Sequence, residues 1–144
     1  MDASDIRDGL LQGNGTDADA REHMAQLTLS AVRAEVCGLH EVMARSVRLL
    51  ERGRAYYAMW ELRHCLAQWS AERMALYPPR RPAPDGSTPE QRIAWLREGS
   101  EAVTAEIREL RAISAEGAQL LADGREDEVL QLLRQGGARP LPGC

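Results

Sequence analysis

With 144 residues the chain is one domain long, enough to bury roughly two thirds of its unfolded surface without a metal or disulfide staple. Its formal charge is −4: residues 1–23 hold six acids against Arg7 and Arg21, and the other 16 acids balance 16 arginines, so no basic face for nucleic acid is expected. No apolar run approaches the ~20 residues of a membrane span, the N-terminus lacks signal-peptide order, and three cysteines, an odd number, fit a reducing compartment; a cytoplasmic address is the expectation.

Residues 1–15 read as a leader, with Ser4 capping a turn or two that carries Ile6, Leu10 and Leu11, and with Gly13, Asn14 and Gly15 breaking it. A first long helix, A, is expected from Thr16 to about Arg52, its Asp17 and Asp19 favourable at the positive end of the helix dipole. Val32, Val36, Leu39, Met43, Ser46 and Leu50 form one stripe at 3.6-residue spacing, the mark of a core-facing side. Gly53 ends the helix, since glycine accepts the left-handed conformation of a helix stop.

Helix B is expected from Arg54 to Tyr77, with Ala55, Ala58, Met59, Leu62, Cys65, Leu66, Trp69 and Leu76 facing inward. Its opposite side carries Tyr56, Tyr57, Trp60, His64, Ala67 and Met74, a composition typical of protein interfaces. The plainer explanation is that the leader or the last helix covers this stripe within the monomer. Residues 78–87 then form a linker whose four prolines forbid helix. Helix A is about a dozen residues longer than B, leaving a gap of roughly 18 Å, which ten extended residues span. Pro79 and Pro82 with Arg80 and Arg81 between them have the form of a ligand for proline-recognising modules, although a spacer role suffices.

The second half begins with Thr88 as cap, Pro89 at the first helical position and Gln91 completing a capping box. Helix A′ runs to about Asp123 with the stripe Val103, Ile107, Leu110, Ser114, Gly117 and Leu121; Gly124 ends it, and B′ follows from Arg125 to Gln135. Pro140 and Pro142 keep the tail, 136–144, from being helical.

The two halves, 16–77 and 87–135, repeat at an offset of 71. Ala31, Val32, Ala34, Glu35, Leu39, Ala44, Leu49, Leu50, Gly53, Arg54, Leu62 and Arg63 are matched by identical residues at 102, 103, 105, 106, 110, 115, 120, 121, 124, 125, 133 and 134. Chance would give roughly 3 identities over such a window, so the expected fold is all-α: an antiparallel bundle of two duplicated helical hairpins. The absence of Lys and Phe is most simply a GC-rich codon bias, which suggests a bacterial source.

Chemistry-bearing clusters are few. Glu61-Leu62-Arg63-His64 resembles the Glu-x-x-His half-site of ferritin-like bundles, but its matches in the second half are Leu132 and Gln135, which cannot provide the second half-site. A looser soft-metal set of Cys37, His40, His64 and Cys65 has ligands that diverge. Glu35 borders the core stripe at the height of Arg73, so a part-buried ion pair between them is expected, and Glu106 needs another partner. No nucleophile, oxyanion hole or phosphate loop accompanies either carboxylate, so no enzyme, catalytic residue or cofactor is expected.

Two resemblances are of shape. The stretch Leu120-Leu121-x-x-Gly124-Arg125 resembles a tetratricopeptide corner, but a period of 71 is not that family's 34. Long helices, Leu-Leu-x-x-Gly corners, small size and acidity resemble flagellar and type III export chaperones. The expectation is a non-enzymatic interaction module of adaptor, regulator or export-chaperone type. It would bind a protein partner or a second copy through Tyr56, Tyr57, Trp60, His64 and Met74, with a small-ligand or metal-binding bundle as the alternative.

Overall fold

A computed structural model describes residues 14–67 and 80–137. The leader's Ser4, Ile6, Leu10 and Leu11, helix B's Trp69, Arg73, Met74 and Leu76, and the tail beyond Gly137 lie outside the described residues; Gly136, expected in the non-helical tail, ends the last helix. Every regular element among the described residues is an α-helix: α1 (Asn14–Glu51), α2 (Ala55–His64), α3 (Pro89–Ala122) and α4 (Glu126–Gly136).

α1 starts two residues before Thr16, and Gly15 does not interrupt it; one glycine costs only about 1 kcal/mol in a helix, too little to set a boundary in an element of 38 residues. α3 starts as its sequence dictates: Gln91 N donates to Thr88 Oγ1 (3.2 Å), Thr88 N donates to Gln91 Oε1 (2.8 Å), and Pro89 removes an N–H that would lack a partner.

The two corners are equivalent bond for bond. Gly53 and Gly124 have φ of 73° and 75°. Arg54 N donates to Leu49 O at 2.8 Å and Arg125 N to Leu120 O at 2.9 Å, while Gly53 N to Leu50 O and Gly124 N to Leu121 O are both 3.0 Å. These are the paired 6→1 and 5→2 bonds of a Schellman stop, which satisfy the last carbonyls of each long helix.

α1 and α3 lie side by side and parallel, since Glu22 meets Arg92 and, further along both helices, His40 meets Glu106. This seam is the most extensive in the fold, and α2 and α4 each pack against both long helices. One core runs through it. Val36, Leu39, Val42, Met43 and Leu50 of α1 join Ile107, Leu110, Ile113 and Leu121 of α3, closed by Ala58 and Leu62 on one side and Val129 and Leu133 on the other. Fully burying each larger aliphatic side chain contributes about 1.5–3 kcal/mol. Val32 and Val103, the first members of the expected stripes, are only half-buried. Ser46 and Gly117, the small residues at matching places in the two stripes, both lie at close packing: Ser46 is buried with Oγ donating to Val42 O (2.8 Å), and a Cβ at Gly117 would come within 3.1 Å of Leu62 Cδ1.

Helix B differs from expectation. It does not run through to Tyr77, because α2 stops at His64 and Cys65 takes a left-handed φ of 46°. Two contacts hold the stop. Ser114 Oγ donates to Leu62 O at 2.6 Å, occupying the carbonyl that a continuing helix would give to residue 66. The chain then crosses against α1, where a Cβ at Gly38 would lie 3.0 Å from Ala67 Cβ and 3.1 Å from its Cα. Ala67 is therefore half-buried rather than on the outer face, and Leu66, expected inside, is 55% exposed. The outer helices become near equals, 10 and 11 residues long, and α4 stops at the matching level.

Candidate functional site

Apolar residues seat α2 on its inner side: Ala58 is 0% exposed and Leu62 1%. Cys65, just past its end, is buried as well. A helix anchored this way turns its i, i+4, i+8 positions outward, and here those are Tyr56, Trp60 and His64, with Tyr57 alongside. Tyr56 is 70% exposed, Tyr57 59% and Trp60 46%. The Tyr56 and Tyr57 rings meet edge to face at 5.8 Å between centroids, and Trp60 lies 4.4 Å from the His64 ring, tilted 45°. Stacking at i, i+4 makes a rigid aromatic ridge. Met74, the remaining member expected on this face, lies outside the described residues.

The second hairpin supplies an internal control. At the offset of 71, Tyr56, Tyr57, Trp60 and His64 correspond to Asp127, Glu128, Gln131 and Gln135 on α4, and all four are exposed. The same face of an equivalent helix is polar, as a solvated surface ordinarily is. The scaffold thus makes no demand for aromatic residues there.

Polar groups inside the bundle are structural in their geometry. Glu35 does not wait for Arg73, which lies outside the described residues; its carboxylate is held by Arg111 of α3. That hydrogen bond, partly offset by burial, raises the Arg111 pKa above its ordinary value. Glu106 finds its partner in His40, which is 3% exposed: Nε2 stands 3.2 Å from Glu106 Oε1 and Nδ1 2.7 Å from Gly137 O. A carbonyl only accepts, so Nδ1 donates to Gly137. Glu61, of the Glu-x-x-His spacing, accepts from Arg45 Nη2 at 3.1 Å.

The alternative metal set is not assembled. His40 spends both ring nitrogens on protein groups, His64 is exposed on α2, and Cys37 and Cys65 are free, buried thiols. Cys37 is 1% exposed within the core. Among the described residues no three His, Cys, Asp or Glu side chains converge as metal ligands. Nor is any described helix long and apolar enough to cross a membrane.

Sequence reasoning did not find the pairs His40 with Glu106 and Arg111 with Glu35, although a signal existed. His40 and Arg111 are 71 apart, as are Glu35 and Glu106, so two side-by-side equivalent helices place each of these nitrogen-bearing side chains against the other helix's acid. Comparison with known proteins finds no matching family model, no matching curated protein and no matching solved structure.

Proposed function

We propose that this chain is a non-enzymatic helical interaction module, of adaptor, regulator or export-chaperone type, that binds a protein partner or a second copy of itself through the outer face of α2. One observation carries the reading: the exposed aromatic ridge of Tyr56, Tyr57 and Trp60 stands where the equivalent helix has Asp127, Glu128 and Gln131. Large, rigid aromatic side chains lose little conformational entropy on docking and dominate the energetics of protein interfaces. His64, stacked on Trp60, and exposed Leu66 extend the ridge toward the end of the helix. A cytoplasmic setting and a bacterial source suit the reading, resting on the cysteine usage and the Arg-only basic composition.

The test is Trp60→Glu. Helicity and thermal unfolding should match wild type, because Trp60 is 46% exposed and is not one of the buried core residues. Dimerisation by sedimentation equilibrium, or capture of a partner identified with wild type, should be lost. A variant that self-associates and captures like wild type would sink the reading.

A further inference from the structure

Away from α2, the first halves of α1 and α3 and the extended segment 80–83 line a half-open cavity of about 440 Å³. Its apolar lining is Leu29, Leu96, Trp95, Pro82 and Ala83. Among the described residues its charged lining is four arginines, Arg33, Arg80, Arg81 and Arg92, and one acid, Glu22. In a chain of net charge −4 this concentration of positive charge is local and specific.

Glu22 is already committed. Arg92 Nε and Nη2 donate to its two carboxylate oxygens at 2.7 and 3.2 Å, and Arg92 Nη1 donates to Ser87 O at 2.9 Å. Arg80 and Arg81, by contrast, pair with no carboxylate among the described residues. Arg80 is nevertheless held in place. Its Cζ lies 4.1 Å from the centroid of the Trp95 ring, and Gly99 makes room for it on α3, since a Cβ there would come within 2.8 Å of Arg80 Cδ. Trp95 Nε1 also donates to the backbone carbonyl of Arg81 at 2.9 Å, so one indole holds the Arg80 guanidinium and the Arg81 backbone beside the cavity. Stacking engages only the face of a guanidinium and leaves its in-plane donors to be satisfied. Arg80 Nε is buried without any acceptor, a cost that folded proteins rarely leave uncompensated.

A positioned Arg80 guanidinium with the Arg81 side chain next to it, neither paired with a carboxylate among the described residues and both bordering an apolar space, suits a ligand that brings both an acid group and a hydrocarbon body. We propose that the cavity binds a small organic anion, a carboxylate or phosphate on an apolar body, whose acid group Arg80 and Arg81 hold while Leu29, Leu96 and Pro82 cover the rest. Nothing in this proposal depends on the role given to α2.

Calorimetric titration of the full chain tests it, with octanoate, octyl phosphate, inorganic phosphate and neutral octanol as probes. Octanoate or octyl phosphate should bind one per chain, at least about tenfold tighter than octanol and than inorganic phosphate; which of the two binds more tightly distinguishes a carboxylate from a phosphate ligand. The double variant Arg80→Gln, Arg81→Gln should lose about tenfold or more in affinity with thermal unfolding unchanged. Gly99→Ala should also weaken binding, because only the flexible Arg80 side chain has to move to admit the new methyl group. Trp60→Glu should bind the anions like wild type, separating this cavity from the α2 face. Absence of binding by both anions, equal binding of octanol, or unchanged affinity in the double variant would overturn the proposal.

Discussion

His40 reaches across the seam between the long helices to Glu106, Nε2 3.2 Å from Oε1, in the place where its counterpart Arg111 reaches back to Glu35. The two pairs are related as equivalent contacts about a two-fold axis, residue i meeting j′ and j meeting i′. Their burial differs: the His40 side chain is 3% exposed and the Arg111 side chain 47%. Energetically they are therefore unequal. His40→Ala removes the partner of buried Gly137 O and of part-buried Glu106, and should destabilise the fold by about 2–4 kcal/mol in urea unfolding. Arg111→Ala breaks an exposed pair and should cost no more than about 1 kcal/mol. Equal costs for the two substitutions would contradict this account.

The helix stops can be tested without disturbing packing. A Cβ at Gly53 or Gly124 would meet nothing within 4 Å, so alanine there introduces backbone strain alone. Each Gly→Ala change should cost about 1–2 kcal/mol, and the two should add, because the corners belong to different hairpins. Asparagine, which tolerates the left-handed region better, should cost less at both. Thermal or urea unfolding of the two alanine singles, the asparagine variants and the alanine double supplies the comparison.

Ser114 decides where α2 ends. Its hydroxyl is the hydrogen-bond donor to Leu62 O, at 2.6 Å. Ser114→Ala leaves that buried carbonyl short of a donor and should cost about 1–3 kcal/mol. Ser46→Ala should cost less, since Ser46 Oγ only back-bonds, at 2.8 Å, to the carbonyl of Val42 within its own helix. Hydrogen exchange at residues 61–65 should accelerate in the first variant and not in the second.

Two glycines of similar appearance should respond oppositely to the same substitution. At Gly38 the obstacle is Ala67, its Cα 3.1 Å and its carbonyl carbon 3.2 Å from a new Cβ, and backbone does not yield cheaply. Gly38→Ala should destabilise by about 1–3 kcal/mol. At Gly99 the obstacle is the Arg80 side chain, which can swing aside, so Gly99→Ala should leave the urea midpoint nearly unchanged.

Much of this architecture could be read before any coordinates. Thr88, Pro89 and Gln91 announced the start of α3, and Gly53 and Gly124 the corners, because each rule concerns a few adjacent residues. The stripes of α1 and α3 were legible for the same reason of regular spacing. The end of α2 was not legible. Cys65, Leu66 and Ala67 continue an apolar helical pattern with no glycine or proline, and the stop depends on Ser114 and Gly38, partners 49 and 29 residues away in sequence from Cys65 and Ala67. The pairing of Glu35 with Arg111 was not legible, since counting turns gives level but not direction around the bundle. The aromatic face was visible from composition, and Arg80 was dismissed as part of a spacer because its relation to Trp95 and Gly99 exists only after folding.

The parallel seam also governs how the chain must assemble. Its bonds join residues 66 to 76 positions apart, about half the chain length, whereas each Schellman stop closes within five or six residues. Local turns can therefore form early, yet neither hairpin gains its core until the other docks. The entropy of closing that long loop must be met in one step, before the contacts that reward it exist. Folding should consequently be slow for an all-helical chain of this size, limited by the meeting of two preformed hairpins rather than by the growth of any helix.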